Sequence, residues 1–443
     1  MEHEENIRKK VYEAVLARGE AGKERFYEEL RAEGIAPTPA DEPGHLYAPN
    51  PVVVPRSVVD AMVRDLNVFA DWKRDRIRSH QELLEAAPPL VRDDFASTGV
   101  AAQLFLALKR RHPFACLDAY LVETPQGLDR AYLEWQTFPA YVCLGMKALA
   151  ATGRAFPEIA AHGAHLTTAG SDDLEPLAKR MAALFLEGID DARTGVVLDF
   201  EPARQETRRE FYAVQALTGG AAHGFGVIDP REIRYLDGTP HYRRDGRWVA
   251  IEKAISRLVA GDIERGLAPA LRGSEREDVQ RFFKDGDNVD WLVHPLHFHY
   301  GSKTDFPDFH AAGLSLGLPR CELVSLETIA QARSRGSERM LGMVQKPADG
   351  CGGAGVVLDP LVDELLPGAV LQQVIQPAAC HQTLYGPHVP EVRVMGIPRA
   401  DGGLDSPIVF TRVKSADVFR SNAGVTARAG IPGTGEGYAV IAG

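Results

Sequence analysis

The sequence has few cysteines, and their spacing does not suggest a disulfide framework or a structural zinc site. Its 443 residues include five cysteines, at positions 116, 143, 321, 351 and 380, and none of them form a C-x-x-C pair. Small secreted domains carry dense and paired cysteines, whereas thiols stay reduced in the cytosol. We therefore expect free thiols and a cytoplasmic location.

The chain also lacks a long apolar run and an excess of positive charge. No stretch reaches the ~20 apolar residues that a membrane span requires, and the charged N-terminus, residues 1–5, has no apolar signal-peptide core. The formal net charge of −11 disfavours nucleic acid or an anionic membrane as the main partner. With 45% hydrophobic and 25% charged residues, the composition is that of an ordinary globular protein.

Two common nucleotide fingerprints are missing as well. There is no G-x-x-x-x-G-K-[ST] motif, and no clear helix follows a G-x-G-x-x-G motif. A different glycine-rich segment, residues 345–357, lies between apolar runs and contains Lys346, Asp349, Gly350, Gly352 and Gly353. Glycines let backbone N–H groups approach a polyanion, and a lysine adds a point charge. The segment predicts a strand, a phosphate-binding loop and a strand, although an ordinary glycine hairpin has the same signature.

Hydrophobic periodicity predicts an α/β protein with an α+β C-terminal part. We expect a helical region at 1–95, an α/β substrate-binding region at 96–330 with a parallel sheet, and a nucleotide-binding region at 331–443. Residues 34–55 read as an irregular connector. The predicted helices are 5–33, 57–86, 100–111, 204–217, 246–270 and 322–335. The predicted strands are 114–122, 131–136, 194–200, 224–230, 340–346, 355–359, 369–376, 389–397 and 406–414.

The order of motifs in the last hundred residues resembles the C-terminal half of an ATP-grasp fold. After the glycine-rich loop come an apolar strand with a polar end (369–377), an acidic strand (390–395), a basic strand (410–414) and a small-residue loop (421–430). The magnesium-binding element that such folds place after the basic strand is absent there. Upstream, Leu133-Glu134-Trp135-Gln136-Thr137 resembles the E-I-N-T element of circularly permuted, eukaryotic-type glutathione synthetases.

Other segments agree with this resemblance. Residues 116–120 are similar to the R-S-D-Y strand of those enzymes, 251–257 to their Y-x-R strand, and 294–303 to the stretch with an additional ATP lysine. Residues 197–202 and 227–230 resemble bacterial ligases related to glutathionylspermidine synthetase. The resemblance covers residues 110–435 and implies a circularly permuted ATP-grasp fold.

The resemblance implies an ATP- and Mg²⁺-dependent carboxylate–amine ligase that acts through an acylphosphate. It implies small-molecule acid and amine substrates, and similar synthetases are often homodimers. Arg257 and Arg412 would hold the acceptor carboxylate or the acylphosphate, and Glu134, Gln136 and Asp349 would bind magnesium. The implied nucleotide contacts are Lys303, Lys346, Gly350, Gly352, Gly353, Gln373, Ile375, Glu391 and Lys414.

Departures from the family pattern leave alternatives open. Gln136 replaces an asparagine, Asp349 is one position from the loop's magnesium-binding glutamate, and Cys116 stands where an arginine binds the γ-glutamyl substrate. Another acid–amine pair is therefore expected, and a degenerate nucleotide-binding module without turnover is an alternative. His294, His297 and His299 could instead form a zinc or iron site of a hydrolase. The charged run 201–210 is either a solvated helix face or a substrate-binding segment.

Overall fold

The computed structural model describes residues 2–35, 47–87, 89–137, 142–189, 193–205, 207–314, 316–348, 355–415 and 434–443. Within these ranges the helices are α1 (Glu2–Ala17), α2 (Gly19–Ala32), α3 (Arg56–Arg76), α4 (His80–Ala86), α5 (Pro89–Asp94), α6 (Thr98–Arg110), α7 (Val142–Ala155), α8 (Glu158–Ala161), α9 (Glu175–Leu186), α10 (Arg208–Leu217), α11 (Gly220–His223), α12 (Ala260–Asp262), α13 (Ala268–Ala270), α14 (Gly273–Lys284), α15 (Asp305–Ala311) and α16 (Leu326–Ser334).

The strands are β1 (Val52–Pro55), β2 (Ala115–Thr124), β3 (Gly127–Gln136), β4 (Ala164–His165), β5 (Arg193–Leu198), β6 (Gly226–Ile228), β7 (Arg234–Leu236), β8 (Thr239–Arg244), β9 (Arg247–Ser256), β10 (Asp290–Val293), β11 (Cys321–Leu323), β12 (Met343–Lys346), β13 (Val357–Leu358), β14 (Val370–Gln373), β15 (His381–Thr383), β16 (Gly386–Pro398), β17 (Leu404–Asp405), β18 (Val409–Ser415) and β19 (Gly435–Ala442).

The largest sheet combines strands from distant parts of the chain. Its main path is β1-β19-β18-β16-β2-β3, and β4, β15 and β17 attach to it, which makes nine strands within the described ranges. β1 is parallel to β19, and the other neighbours on the path are antiparallel. Because successive side chains in a strand point to opposite faces, the sheet buries two layers. One packs against α1, α2 and α7, the other against α3.

A second sheet contains the predicted parallel layer. β5 pairs in parallel with β6, which confirms the parallel arrangement predicted for these two strands. β9 and β10 extend the parallel layer beyond the prediction, because β9 pairs in parallel with both β5 and β10. Two successive hairpins add β8 and β7 in antiparallel order. The carboxyl ends of the parallel strands meet at one edge, which collects the residues that follow them: Asp199, Asp229, Arg257 and His294.

A small antiparallel sheet, in the order β11-β14-β12-β13, carries the strand that ends in Lys346. Ser325 begins α16 by accepting the backbone N–H of Thr328 at 3.0 Å, a regular N-cap. Buried side chains of α16 and of the sheet form a separate core that includes Ile329, Leu365 and Leu371. The sheet is therefore an independently packed layer that presents Lys346 to the rest of the molecule.

The predicted helix over 246–270 is wrong in its first part. Residues 247–256 form β9, which has partners on both sides, and only residues from 260 onward are helical. Glu252 and Lys253 gave this segment a helical look. Lys253 is in fact buried in the sheet, where its Nζ lies 2.9 Å from Asp290 Oδ2. Strand pairing and burial thus overrode the local preference.

Other boundaries differ in smaller ways. The predicted helix 5–33 is interrupted between α1 and α2, where Gly19 has a φ of 55°. Segment 322–335 begins with the end of β11 before it becomes helical, and the connector 34–55 ends in β1. β19 was not predicted. Among the described residues, no helix has both the length and the apolar character that crossing a membrane requires.

Candidate functional site

Acidic and basic side chains alternate across one face of the large sheet. Residues in register on neighbouring strands lie side by side on the same face. The register pairs, taken from β19 towards β3, are Glu436 with Arg412, Arg412 with Glu391, Arg393 with Asp118, and Asp118 with Glu134. We call these six residues the charged row. It extends over five strands and joins segments that are more than three hundred residues apart in the chain.

Glu391 holds two cations of β18. Its Oε1 accepts a hydrogen bond from Arg412 Nη1 at 2.7 Å, and its Oε2 accepts one from Lys414 Nζ at 2.6 Å. Lys414 Nζ also donates to the hydroxyl of Tyr120 at 2.9 Å. Burial alone raises the pKa of Glu391, but Lys414 and Arg412 outweigh it and hold the pKa below its ordinary value. This end of the row is therefore ionised and already assembled.

Asp118 and Arg393 form a buried bidentate pair at the centre of the row. The guanidinium donates from Nε and Nη2 to the two carboxylate oxygens, each at 2.5 Å. Such two-point pairs fix geometry as well as charge. Burial raises the pKa of Asp118 to about 6, against the attraction of Arg393, so the carboxylate remains ionised at neutral pH. Asp118 thereby fixes the middle strand of the row to its neighbour.

Two lysines approach Glu134 from outside the large sheet. Lys303 Nζ lies 3.9 Å from Glu134 Oε2, and Lys346 Nζ donates to the carbonyl oxygen of Leu133 at 2.7 Å. Burial lowers the pKa of Lys346 to about 8, although Glu134 opposes the shift. Burial raises the pKa of Glu134, but Lys303 and Arg393 reverse this, and the net shift is downward. The structure brings these three residues together.

Glu134 and Gln136 point to the same side of β3. Gln136 Nε2 donates to Glu134 Oε1 at 3.3 Å and to Asp118 Oδ2 at 3.4 Å. Glu134 is a quarter exposed, and its nearest cations, Lys303 and Arg393, are 3.9 and 3.8 Å away. A partly exposed carboxylate and an adjacent amide oxygen are the ligand types that Mg²⁺ prefers. The residue types at this position are therefore those of a magnesium site, but the Gln136 amide presents its nitrogen and not its oxygen to the carboxylates.

The remaining predicted nucleotide residues have different outcomes. Gln373 is the last residue of β14. Lys346 pairs with Val370 of the same strand, so Gln373 lies three residues further along, or about 10 Å from that pair. Its backbone N–H donates to Arg320 O at 2.7 Å. Ile375 is half-buried and lies in the segment that connects β14 of the small sheet to β15 of the large sheet. Asp349, Gly350, Gly352 and Gly353 lie outside the described residues.

Arg257 belongs to the second sheet and is separate from the charged row. It follows β9 at the carboxyl edge, where its backbone N–H donates to Leu198 O at 2.8 Å. The two predicted catalytic arginines therefore stand on different sheets. Cys116 is the register partner of Gln136, and Arg393 and Arg257 both oppose the burial that raises the pKa of its thiol.

Asp199 is a buried carboxyl group at the same edge as Arg257. It is 4% exposed, and its Oδ1 accepts the backbone N–H of Phe200 at 2.8 Å. Burial raises its pKa to about 7, and Asp229 and Asp262 add to the shift while Arg257 opposes it. A buried carboxyl group with a raised pKa at the carboxyl edge of a parallel sheet is a candidate for ligand binding. Residue patterns alone gave Asp199 no role.

Asp118, Tyr120 and Arg393 were also not assigned roles from the sequence. Asp118 and Tyr120 stood in the segment similar to the R-S-D-Y strand, and Arg393 alternates with Glu391 on one face of β16. That alternation, repeated by Arg412 and Lys414 on β18, was the available signal. It shows that charges share a face, but it cannot identify the partner of each charge.

The histidine cluster has structural roles. His294 Nδ1 accepts the backbone N–H of Leu296 at 3.0 Å, and its Nε2 bonds to Phe283 O at 2.9 Å. His297 Nδ1 accepts the backbone N–H of His294. Burial lowers the pKa of both rings, to about 3 and about 4. Both ring nitrogens of His294 and Nδ1 of His297 are therefore engaged within the protein, and the side chain of His299 lies outside the described residues. Within the described part of the chain, no group of three histidine, cysteine or acidic residues could hold a metal.

Comparison with known proteins identifies a shared fold. No family model and no curated protein matches the chain. Among solved structures, a glutathione synthetase-like effector (GSS30) from Globodera pallida in its apo form is similar over 95% of this chain and 96% of its own, with a TM-score of 0.54 and 11% sequence identity. At this identity the likeness concerns the fold alone. The chain therefore has a glutathione synthetase-like fold, as the motif order led us to expect.

Proposed function

We propose that this chain is an ATP- and Mg²⁺-dependent carboxylate–amine ligase built on a circularly permuted ATP-grasp fold. The observation that carries the proposal is the convergence of Lys303, Lys346 and Glu134 from three separate segments of the chain. Two lysines from different segments meet one partly exposed carboxylate, an arrangement that suits a polyanion bound together with a divalent cation. The glutathione synthetase-like fold supports the same function.

In this proposal the lysines bind the polyphosphate. Lys303, Lys346 and Lys414 contact phosphate oxygens, and Gly350, Gly352 and Gly353 close over the β- and γ-phosphates. Glu391 binds the nucleotide together with the backbone of Gln373 and Ile375. Within the described site, carboxylates of the charged row already engage Arg393, Arg412 and Lys414. A polyphosphate therefore adds negative charge to a nearly balanced cluster, and this favours uptake of a divalent cation with it.

Glu134, Gln136 and Asp349 would hold the magnesium, which supplies the positive charge that offsets the transferring phosphoryl group.

Arg412 and Arg257 orient the carboxylate of the acid substrate, because a guanidinium matches planar and trigonal anions. The carboxylate oxygen bonds to the γ-phosphorus as the bond to ADP breaks. The amine nitrogen then bonds to the acyl carbon, phosphate leaves, and nitrogen loses a proton. Asp199, at the same sheet edge as Arg257, would bind the ammonium of an amino-acid-like substrate.

The test is ADP release by the purified chain with pooled amino acids and polyamines, with products identified by mass spectrometry. We expect substrate-dependent ADP release and a new amide. Glu134→Gln should lower turnover at least a hundredfold, because it removes the anionic metal ligand while keeping the shape of the side chain. ADP release that stays at background with every pool would sink the ligase proposal.

The alternative is a degenerate module that binds nucleotide without turnover. The hydrogen bonds from Gln136 Nε2 to both carboxylates favour it, because they hold the amide by its nitrogen rather than by its oxygen. It predicts ATP binding that Lys346→Met abolishes, with no substrate consumed. Gln136→Asn restores the residue that the family pattern carries at this position. Turnover that appears only in that variant would identify the degenerate module.

A further inference from the structure

The β8–β9 hairpin ends in an exposed basic and aromatic tip. Asp245 and Gly246 form its two-residue turn with φ values of 49° and 76°, the left-handed pair that a tight hairpin turn requires. In the register, Arg243 lies opposite Trp248 and Arg244 lies opposite Arg247. We call residues 242–248 the hairpin tip. Its position is independent of the proposed ligase function.

Two features of the hairpin tip are unfavourable for a surface that meets only water. Trp248 is 40% exposed, and the Arg243 guanidinium lies 5.0 Å from the centre of its ring, so a large stacked pair faces solvent. Arg244 and Arg247 place like charges directly opposite each other, which destabilises a strand pair. Exposed tryptophan and arginine are the residue types most enriched at binding hot spots.

The charge of the tip contrasts with that of the chain. The whole sequence has a net charge of −11, yet the tip carries three arginines and one aspartate. Arg243 and Arg247 form no ion pair with any carboxylate in the described ranges. Arg244 is held differently, by hydrogen bonds from its guanidinium to Ala222 O and Gly224 O. This anchors the tip, so a partner would meet a preorganised surface.

The edge of β8 at the tip is open. β7 pairs only with residues 239–241, so residues 242–244 have no strand beyond them in the described part of the sheet. The tip is also remote from the candidate site. β9 runs from Arg247 at the tip to Ser256 beside Arg257, and its ten residues span roughly 30 Å.

We infer that the hairpin tip docks an acidic, extended segment of a partner protein. Such a segment adds a strand along residues 242–244, and its backbone pairs with the open edge. Its carboxylates meet Arg243 beside Trp248 on one face of the sheet and Arg247 on the other. Nucleic acid is the less favourable occupant, because the net charge of the chain repels a long polyanion, whereas a short acidic segment interacts only with the tip.

The test uses a peptide of two Glu-Glu-Val-Val repeats with blocked ends, which carries glutamate on both faces of an extended strand. It is titrated into the full chain at low ionic strength and followed by calorimetry. We expect binding that weakens as salt is added. Arg243→Glu combined with Arg247→Glu should lower the affinity at least tenfold, and Trp248→Ala should lower it severalfold. The control Arg31→Glu combined with Arg335→Glu makes the same change in net charge at exposed positions elsewhere and should leave the affinity unchanged.

Three outcomes would overturn the inference. The first is no binding of the Glu-Glu-Val-Val peptide at millimolar concentration. The second is an equal loss of affinity in the tip variant and in the control variant, which would show a nonspecific response to net charge. The third is tighter binding of an eight-nucleotide single-stranded DNA than of the peptide, which would make the tip a nucleic-acid surface. Circular dichroism and thermal unfolding of each variant confirm that it is folded.

Discussion

At the scale of single residues, burial gives Lys346 an unusual pH dependence. The residue is 9% exposed, and burial lowers the pKa of its ammonium to about 8. A bound polyanion favours the protonated, charged form of Lys346. Above pH 8 the free lysine is mostly neutral, so ATP binding must take up a proton and the ATP affinity falls. Between pH 7 and 9.5 we expect ATP affinity to fall at least about tenfold, or about 1.4 kcal/mol. Calorimetry across this range measures it.

The matched variant is Lys346→Arg, whose guanidinium keeps its charge throughout the range. Its ATP affinity should change little with pH over the same interval. If the slope of the wild-type profile persisted in Lys346→Arg, another group would be titrating, and Lys346 would lose the phosphate role that we propose.

Asp199 makes the opposite kind of contribution, one that concerns the folded state. Its pKa is about 7 in the folded chain against about 3.9 when unfolded. The folded state therefore binds more protons in between, and stability falls as pH rises from about 4 to 7. Asp199→Asn should be more stable than wild type at pH 8 by on the order of 2 kcal/mol, with the difference shrinking towards pH 4.

Urea unfolding of both proteins at pH 4.5, 6 and 8 measures this difference. A gain that is equal at all three values would mean that the substitution acts through packing and not through ionisation. If Asp199 also binds the amine substrate, the more stable variant should have a higher KM for that substrate, a usual exchange of stability for function.

Short sequence motifs were sufficient to select several charged residues of the site, but not to identify the partner of each charge. Glu134, Lys303 and Lys346 were singled out from short motifs, and the structure brings them together. The pair Asp118–Arg393 joins residues 275 positions apart, and its existence depends on the register of β2 against β16. Such a register is set by the whole sheet, so no local pattern could reveal the pair.

At the scale of elements, one turn connects Lys303 to the strand that carries Glu134. Gly301 packs so closely on β3 that a Cβ would lie 2.8 Å from Trp135 Nε1 and 2.9 Å from the carbonyl carbon of Gln136. Gly301→Ala must therefore push the turn away from β3. We expect a loss of about 1–3 kcal/mol of stability, and a weaker ATP affinity because Lys303 moves away from Glu134.

Unfolding in urea and nucleotide titration measure the two effects. Gly99→Ala is the control, since Gly99 lies in α6 and a Cβ there meets nothing closer than 3.7 Å. It should be neutral or slightly stabilising. If Gly301→Ala lost stability but kept its ATP affinity, Lys303 would not act through this turn.

The elements themselves were predictable where their pattern is local. The hairpin of β2 and β3 follows from alternation on both sides of a turn, and α6 from its apolar stripe. β9 was misjudged because its charged residues are accommodated by partners on neighbouring strands, such as Asp290 with Lys253. β1 and β19 are defined by long-range pairing, because Val52 to Pro55 pair with Ala439 to Ala442 and β19 also pairs with β18.

At the scale of the whole molecule, the first and last described segments of the chain meet at the start of α3. Arg56 donates from Nε to Gly443 O, and its neighbour Ser57 hydrogen-bonds to Glu4 through both its backbone N–H and its hydroxyl. A Cβ built on Gly443 would lie 3.3 Å from Glu4 Cγ. A short linker can therefore join residue 443 to residue 2 without moving either segment.

This closeness permits a direct test of the proposed permutation. Joining the ends with six glycine and serine residues and opening the chain between Gly336 and Ser337 puts Glu134 after Lys346 and Lys414, the unpermuted ATP-grasp order. Gly336 is exposed with a φ of 66°, and such exposed turns tolerate new ends. We expect a stability within about 2 kcal/mol of the parent and an unchanged ATP affinity, measured by urea unfolding and calorimetry.

Opening β16 between Val392 and Arg393, at the centre of the charged row, should instead prevent folding. If the first permutant folded but bound no ATP, the site would depend on chain order, and the shared ATP-grasp geometry would be the wrong explanation.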